Sequence, residues 1–260
     1  MKNHFLAITF LVIMLSSCSE DNDISVDSVS VRLNFTHSWG ELVISNEDFN
    51  ELKFTTEIGD LLSIGRLRYL ISELTFTHES GTVTRLDDYN LVDVTNNEGL
   101  SFTTSKAILP GNYTNLSFRF GFSEENNIDG AYPDLNTANF NVPGENSTPN
   151  LGGGYHYMQF DGSYLDNLSN QSPFNYHVIS AIDLTNLNEP VDTSLKINIG
   201  PLVVGGSTNI DIQMDVSEWF KNPNTWDLNE NDINLMGNYG VQLLMNQNGA
   251  SVFSLVSISQ

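Results

Sequence analysis

Apolar and polar residues alternate at period two along much of this chain. Residues 28–36 (SVSVRLNFT) are the clearest example, and such alternation predicts a β-strand with one buried face. The other predicted strands are residues 52–56, 67–77, 82–86, 89–94, 113–122, 155–160, 176–184, 195–199, 208–216, 240–245 and 251–257. Turn sequences rich in Gly, Asn, Ser and Pro separate many of them. The sequence therefore predicts an all-β fold, an antiparallel β-sandwich with long loops.

Helical content is predicted to be minor. Residues 64–71 are predicted to contain a helical turn before their strand, and residues 216–220 (VSEWF) form a short segment that Asn222-Pro223 stops. Residues 124–154 are rich in Asn, Asp, Pro and Gly, and their apolar residues follow neither the period of a strand nor that of a helix. This predicts a long loop. No linker or repeat divides residues 28–260, so we expect one domain there.

The first residues have the features of a secretory signal. Lys2 precedes an apolar run at residues 5–15, which is too short to span a bilayer as a helix. The run ends in Leu15-Ser16-Ser17-Cys18, the pattern of a bacterial lipobox, which predicts a signal peptide at residues 1–17 and a lipid on Cys18 as the membrane anchor. The alternative is an ordinary cleaved signal with an incidental cysteine. Cys18 is the only cysteine, so an intrachain disulfide is excluded.

An acidic run, SEDND at residues 19–23, follows the cysteine. It resembles the surface-export signal of lipoproteins in the Bacteroidetes, and its alternative interpretation is a solvated tether. Both interpretations make residues 18–27 a flexible, acidic tether. We expect an outer membrane lipoprotein that is exposed at the cell surface, or otherwise faces the periplasm.

The charge of the chain restricts its partners. Ten Lys and Arg residues stand against 32 acidic ones, a formal net charge of −22, and removal of Lys2 with the signal leaves nine basic residues and −23. Nucleic acid is therefore not an expected partner. The sequence has no G-x-S-x-G motif and no phosphate-binding glycine loop, and carboxylate pairs are inevitable with so many acids. We expect a protein that is not an enzyme.

Histidines are the candidate metal ligands, because the predicted mature chain has only four. His156 and His177 lie in aromatic segments, and His37 ends the first predicted strand. Imidazoles from neighbouring strands suit Cu, Zn or Ni, and a thioether such as Met158 would favour Cu(I). The alternative is that each histidine caps an aromatic cluster through one hydrogen bond.

Two oxygen-rich segments raise the question of Ca²⁺. Glu125, Asn127 and Asp129, followed by a glycine, have the spacing of the first half of a calcium-binding loop, but position twelve is Asn136 rather than Glu. A second stretch, residues 227–232 (DLNEND), is equally unspecific. Structural Ca²⁺ is a weaker alternative to copper.

Several short motifs occur in a characteristic order. They are RYLISEL at residues 68–74, YNLVD at 89–93, PGNY at 110–113, FGF at 120–122, GYHYMQFDG at 154–162 and YH at 176–177. In that order the chain, over residues 28–258, resembles the MbnP-like family of periplasmic or surface copper-binding proteins, whose relatives include copper-repressible surface proteins of methanotrophs.

The resemblance implies a β-sandwich with long loops that holds copper through two histidines and a kynurenine. The kynurenine is an oxidised tryptophan made by a partner dihaem enzyme of the cytochrome c peroxidase type. His177 matches a family histidine, and His156 with Met158 or His37 would complete the ligands. The family's tryptophans before the Gly-Tyr strand are replaced here by PNLGGG at residues 149–154, which leaves Trp39 as the candidate substitute.

The function expected from this resemblance is copper binding by an exported lipoprotein, in metal acquisition or handling. The alternative is a metal-free interaction module that contacts a partner protein or glycan through residues 124–154. The surface expected for that contact is an aromatic rim formed by Tyr132, Phe140, Tyr155 and Tyr157. Trp219 and Trp226 are expected to plug the edge of the sandwich.

Overall fold

A computed structural model describes residues 28–185 and 190–260 of the chain. The predicted signal peptide, the lipid on Cys18 and the acidic tether lie outside the described residues. Thirteen strands, two α-helices and three 3-10 helices make up the described fold. The strands are β1 Val31–Trp39, β2 Leu42–Ile44, β3 Phe54–Thr55, β4 Leu61–His78, β5 Val83–Arg85, β6 Tyr89–Asp93, β7 Ser101–Thr103, β8 Gly111–Phe120, β9 Met158–Leu165, β10 Gln171–Val178, β11 Leu195–Val204, β12 Thr208–Asp215 and β13 Phe253–Ser259. The helices are α1 Pro133–Thr137, α2 Tyr239–Gly249 and the 3-10 helices Asn46–Asp48, Val216–Phe220 and Leu235–Gly237.

Two sheets form the sandwich, as the alternation predicted. The first has the order β13-β12-β1-β2, with β7 also paired to β1. The second has the order β10-β9-β4-β8-β11, with β3, β5 and β6 also paired to β4. Between the named strands of the described residues, pairing is antiparallel except that β1 and β12 run parallel. The sequence did not reveal this pair, because nearly the whole domain lies between the two strands.

The helical turn predicted at residues 64–71 is wrong. This segment lies inside β4, where side chains on both faces of the strand are buried, so the alternation that marks a half-buried strand is lost. β4 also contains irregular pairing to β8 between Ser72 and Thr75, and Glu73 there has a positive φ of 50°. This irregularity is a β-bulge, which lets one long strand bend and pair with several neighbouring strands.

The strand predicted at residues 240–245 is also wrong, because these residues belong to helix α2. The Asn238 side chain accepts a hydrogen bond from the Val241 amide and caps the helix. Val241, Met245 and Asn248 are buried on one face, which is helical spacing. A six-residue apolar run does not by itself distinguish a strand from a helix. The short helical segment at residues 216–220 is confirmed as a 3-10 helix.

The core between the sheets is rich in aromatic side chains, and it includes Trp219 and Trp226. A second, smaller cluster lies beneath the predicted loop at residues 124–154, where Phe140 and Tyr155 are fully buried with Leu70. The loop contains one short helix, α1, and folds back over the second sheet. Among the described residues, no helix has the length and apolar composition that crossing a bilayer requires.

The expected aromatic rim is therefore wrong. Phe140, Tyr155 and Tyr157 have no exposed surface, and Tyr132 is half-buried, stacked at 4.4 Å on Phe122. A loop of this length stays ordered on the sheet only by burying apolar side chains of its own, so its aromatic residues point inward.

Gly162 lies at the centre of β9, where β4 and β10 pair on both sides. A Cβ at this position would overlap the carbonyl oxygen of Ser63 and lie 2.6 Å from the ring of Phe174. We expect Gly162→Ala to lower the free energy of unfolding by at least about 2 kcal/mol, because backbone cannot move aside cheaply. In contrast, Gly206→Ala adds a Cβ in open space and should change stability by less than about 0.5 kcal/mol. Urea unfolding of the two variants tests this difference, and equal stabilities would contradict it.

Candidate metal centre

A polar strip crosses three neighbouring strands on the face of the second sheet that is turned away from the main core. Strand pairing aligns its side chains in two rows across β4, β9 and β10. One row is Arg68, Gln159 and His177, and the next is Arg66, Asp161 and Asn175. Because side chains alternate along each strand, all six start on the same face of the sheet.

Met158 and His37 do not belong to this strip. Met158 neighbours Gln159 on β9, so its side chain points to the opposite face and is fully buried in the main core. His37 is also buried in that core, where a ring nitrogen lies 2.9 Å from the Tyr69 hydroxyl. Burial lowers the pKa of His37 to about 4. Of the four predicted ligands, the structure brings together His156 and His177 alone.

His156 lies just before β9 and is held by the loop. Its backbone N–H and its ring Nδ1 approach the carbonyl oxygen of Phe140 at 2.9 and 3.0 Å. A carbonyl oxygen only accepts hydrogen bonds, so Nδ1 carries the proton and Nε2 keeps a free lone pair. Burial lowers the pKa of His156 to about 3, and the neighbouring His177 adds to this shift. The ring is therefore neutral at physiological pH.

Gln159 also lies near this ring, and its orientation is fixed by other partners. Its side-chain oxygen accepts a hydrogen bond from Arg68 Nε at 2.7 Å, and its amide nitrogen donates to the Asn139 carbonyl at 3.2 Å. The same nitrogen lies 3.3 Å from Nδ1 of His156. Nε2 of Gln159 and Nδ1 of His156 are then both donors, so no hydrogen bond joins them. The Nδ1 proton of His156 therefore points to the Phe140 carbonyl.

His177 is the neighbour of His156, with ring centroids 5.2 Å apart and ring planes at 85°. Its Nε2 lies 2.8 Å from Oδ1 of Asp161. Burial alone would raise the pKa of Asp161, but the hydrogen bonds from His177 and Arg66 hold it well below its ordinary value. Asp161 is therefore ionised and accepts the Nε2 proton of His177.

In the histidine pair, two ring nitrogens have no hydrogen-bond partner among the described residues. They are Nε2 of His156 and Nδ1 of His177, and both are buried. Buried polar atoms are nearly always paired, so two such atoms on adjacent imidazoles need an explanation. Two nitrogens that share one metal ion lie about 4 Å apart or less, and a centroid separation of 5.2 Å allows this.

The two oxygen-rich segments are used within the protein. Oδ1 of Asn127 accepts the Tyr155 amide proton, and Oδ1 of Asn136 accepts the Tyr155 hydroxyl proton. In the second segment, Oδ1 of Asp227 accepts from the backbone and side chain of Asn229. In the described part of the chain, no three His, Cys, Asp or Glu side chains are grouped to hold a metal ion. The oxygens of Asn127, Asn136 and Asp227 thus serve to hold neighbouring backbone and side chains in place.

The tryptophans lie in other aromatic contacts. Trp39 packs on Phe54 and Phe220 and donates its Nε1 proton to the Thr55 carbonyl. Trp219 and Trp226 both pack on Tyr176, whose side chain is on the opposite face of β10 from His177. In the part of the chain that the structure describes, no tryptophan ring contacts the histidine pair.

Known proteins resemble this chain over most of its length. The sequence profile of the family described as MbnP matches residues 28–239, which covers most of the chain. The chain belongs to the MbnP family. Among solved structures, MbnP from Methylosinus trichosporium superposes with a TM-score of 0.50 at 11% sequence identity, over 78% of this chain and 80% of that chain. At that identity the match supports the shared fold. A search of curated protein sequences finds no match.

Sequence reasoning missed the residues that hold the histidines in this MbnP-family protein. Asp161 and Gln159 stand in the motif at residues 154–162, two positions apart and therefore on one strand face. The alternation was visible in the sequence, but the register of β9 against β10 and β4 was not. That register places Gln159 opposite His177 and Arg68.

Proposed function

We propose that this protein is an exported, lipid-anchored member of the MbnP family that binds Cu(I) between Nε2 of His156 and Nδ1 of His177. Copper is its cargo, in metal acquisition or handling, and the protein carries out no reaction on it. The observation that supports this proposal is that two adjacent imidazole rings each have a buried nitrogen with no hydrogen-bond partner among the described residues.

The donor set favours Cu(I) over other ions. Imidazole nitrogens suit Cu and Zn, but structural Zn²⁺ is almost always four-coordinate, whereas Cu(I) accepts two ligands. Hard cations such as Ca²⁺ and Mg²⁺ require several oxygen ligands. The pKa of His156 is already lowered to about 3, so this nitrogen needs no deprotonation before it binds a metal. A kynurenine ligand, and the dihaem partner that would make it, are not part of this proposal.

The proposed location is the outer membrane, with a lipid on Cys18 as anchor and the domain at the cell surface or in the periplasm. The net charge of −22 supports a role with cations, because an acidic surface raises their local concentration. The side chain of Arg66 on β4 is 40% exposed, whereas that of His177 on β10 is 12% exposed, so the strip reaches the surface beside Arg66. An ion could enter there.

Removal of one imidazole tests this proposal. We expect the wild-type protein to bind one equivalent of Cu(I), and His177→Ala and His156→Ala to weaken the affinity at least tenfold, because a single remaining nitrogen makes a poor site. The measurement is a competition titration against a coloured Cu(I) chelator. His78→Ala is the matched control, since this histidine lies at a surface turn and bonds to Ser80. Unchanged affinity in both site variants, or an equal loss in the control, would overturn the proposal.

The second candidate function is partner binding through the loop, and one observation favours it. Loop residues Pro143, Pro149 and Leu151 line a cleft of about 700 Å³ together with Met236 and Tyr239. The cleft replaces the aromatic rim as the apolar surface that a partner could contact. If the wild-type protein binds no Cu(I), this cleft becomes the candidate site.

A further inference from the structure

The two histidines are oriented by different kinds of acceptor. The Nδ1 proton of His156 is held by the backbone carbonyl of Phe140, and the Nε2 proton of His177 is held by the side chain of Asp161. We propose that Asp161 is the positioning residue of the copper site, which fixes His177 in the Nε2–H tautomer so that the site binds through unlike nitrogens, Nε2 of one ring and Nδ1 of the other. This inference rests on the proposed function.

Asp161 is itself held in place by donors on both neighbouring strands. Oδ1 accepts from Nε2 of His177 and from the side-chain amide of Asn175 at 2.6 Å, and Oδ2 accepts from Nε of Arg66 on β4. These donors approach from β10 on one side and β4 on the other, so the carboxylate cannot rotate away from the imidazole. The side chain is 16% exposed, which strengthens each of these charge-assisted hydrogen bonds.

The positioning role of Asp161 depends on its carboxylate, which accepts hydrogen bonds and does not donate them. An ionised carboxylate next to an imidazole nitrogen requires that nitrogen to carry the proton. In Asp161→Asn, the one remaining oxygen is drawn to Arg66, which can only donate, so the new amide group faces His177 and Asn175, and the Asn175 side chain can rotate to accept from it. The N–H of the new amide then favours the tautomer of His177 protonated on Nδ1, the nitrogen that would bind copper.

The metal-free protein gives the first test. Long-range ¹H–¹⁵N NMR of the ¹⁵N-labelled protein reports which nitrogen of each imidazole is protonated. We expect Nε2–H at His177 and Nδ1–H at His156 in the wild type. In Asp161→Asn the tautomer of His177 should shift toward Nδ1–H while His156 stays unchanged, since its acceptor is a backbone carbonyl. A wild-type His177 protonated on Nδ1, or an unaltered His177 spectrum in Asp161→Asn, would overturn the inference.

Cu(I) titration gives the second test. Loss of a carboxylate that orients a ligating histidine typically costs 10- to 100-fold in metal affinity, and we expect that loss in Asp161→Asn and partial recovery in Asp161→Glu. Asp48→Asn is the matched control, since it removes the same charge from an ion pair with Lys53 elsewhere on the surface and should keep wild-type affinity. An equal loss in Asp48→Asn would attribute the effect to net charge and overturn the positioning role.

The two tests separate failure of the inference from failure of the proposed function. If the wild-type protein binds no Cu(I), the proposed function fails, and the ligand role of His177 fails with it. If the wild-type protein binds Cu(I) but the His177 tautomer does not respond to Asp161→Asn, the function stands and the positioning role is overturned.

Discussion

Replacement of Trp219 by alanine should lower the free energy of unfolding by about 3–5 kcal/mol, the cost of truncating a fully buried large aromatic side chain. The indole has no exposed surface and packs against Phe120 and Tyr176, with ring centroids 5.3 and 5.9 Å away. It anchors the 3-10 helix Val216–Phe220 in the core. Its ring also lies against Gly249 at the end of α2, so a cavity here would loosen two elements at once.

Chemical denaturation of metal-free protein measures this effect. The backbone carbonyl of residue 219 accepts hydrogen bonds from the Tyr176 hydroxyl and the Asn248 side chain, and both can persist in Trp219→Ala. The variant therefore reports mainly on the ring. Leu168→Ala, at a side chain that is 82% exposed, is the control and should change stability by less than about 0.5 kcal/mol. A loss below about 1 kcal/mol in Trp219→Ala would show that the indole is not a core residue.

Acidification should destabilise the metal-free domain through His37. Burial lowers its pKa from 6.5 to about 4, so between these values the unfolded chain binds a proton that the folded chain does not. Protonation therefore favours unfolding. The contribution of His37 to stability is fully present above pH 6.5 and is lost as the pH falls toward 4, by about 3 kcal/mol in total.

The variant His37→Gln isolates this contribution. Glutamine can still bond to the Tyr69 hydroxyl, but it does not titrate. Urea unfolding of wild type and variant at several pH values between 6.5 and 4 should show a shallower pH dependence for the variant. Carboxylates titrate in both proteins and cancel in the comparison. Identical slopes would mean that His37 is accessible to protons in the folded state.

Alternation in the sequence was sufficient to predict the sandwich, because one face of most strands is buried and the other is not. The prediction from alternation was wrong where a segment is not a half-buried strand. At residues 64–71 of β4 both faces are covered, and at residues 240–245 a short apolar run belongs to a helix whose cap, Asn238, stands just before it. Residues 124–154 were predicted correctly as a loop, but the burial of the aromatic side chains in and beside this loop was not predicted.

The candidate site was predicted in part. Histidine scarcity and the family motifs singled out His156 and His177, and the structure places their rings side by side. Met158 was included because it is close to His156 in sequence, but the position of a side chain on a strand depends on even or odd spacing, and Met158 falls on the core face. Asp161 could be recognised only from the register between strands, which sequence alone does not provide.

The parallel pairing of β1 with β12 joins the beginning of the domain to its end. A ribosome or a translocation pore releases the chain from its N-terminus, so β1 emerges long before the strand that pairs with it along Val31–Ser38. Until then the first sheet lacks its central pair, and the closing of so long a chain segment slows its formation. We therefore expect the first sheet to form only after Thr208–Asp215, the last strand of this central pair, has been released.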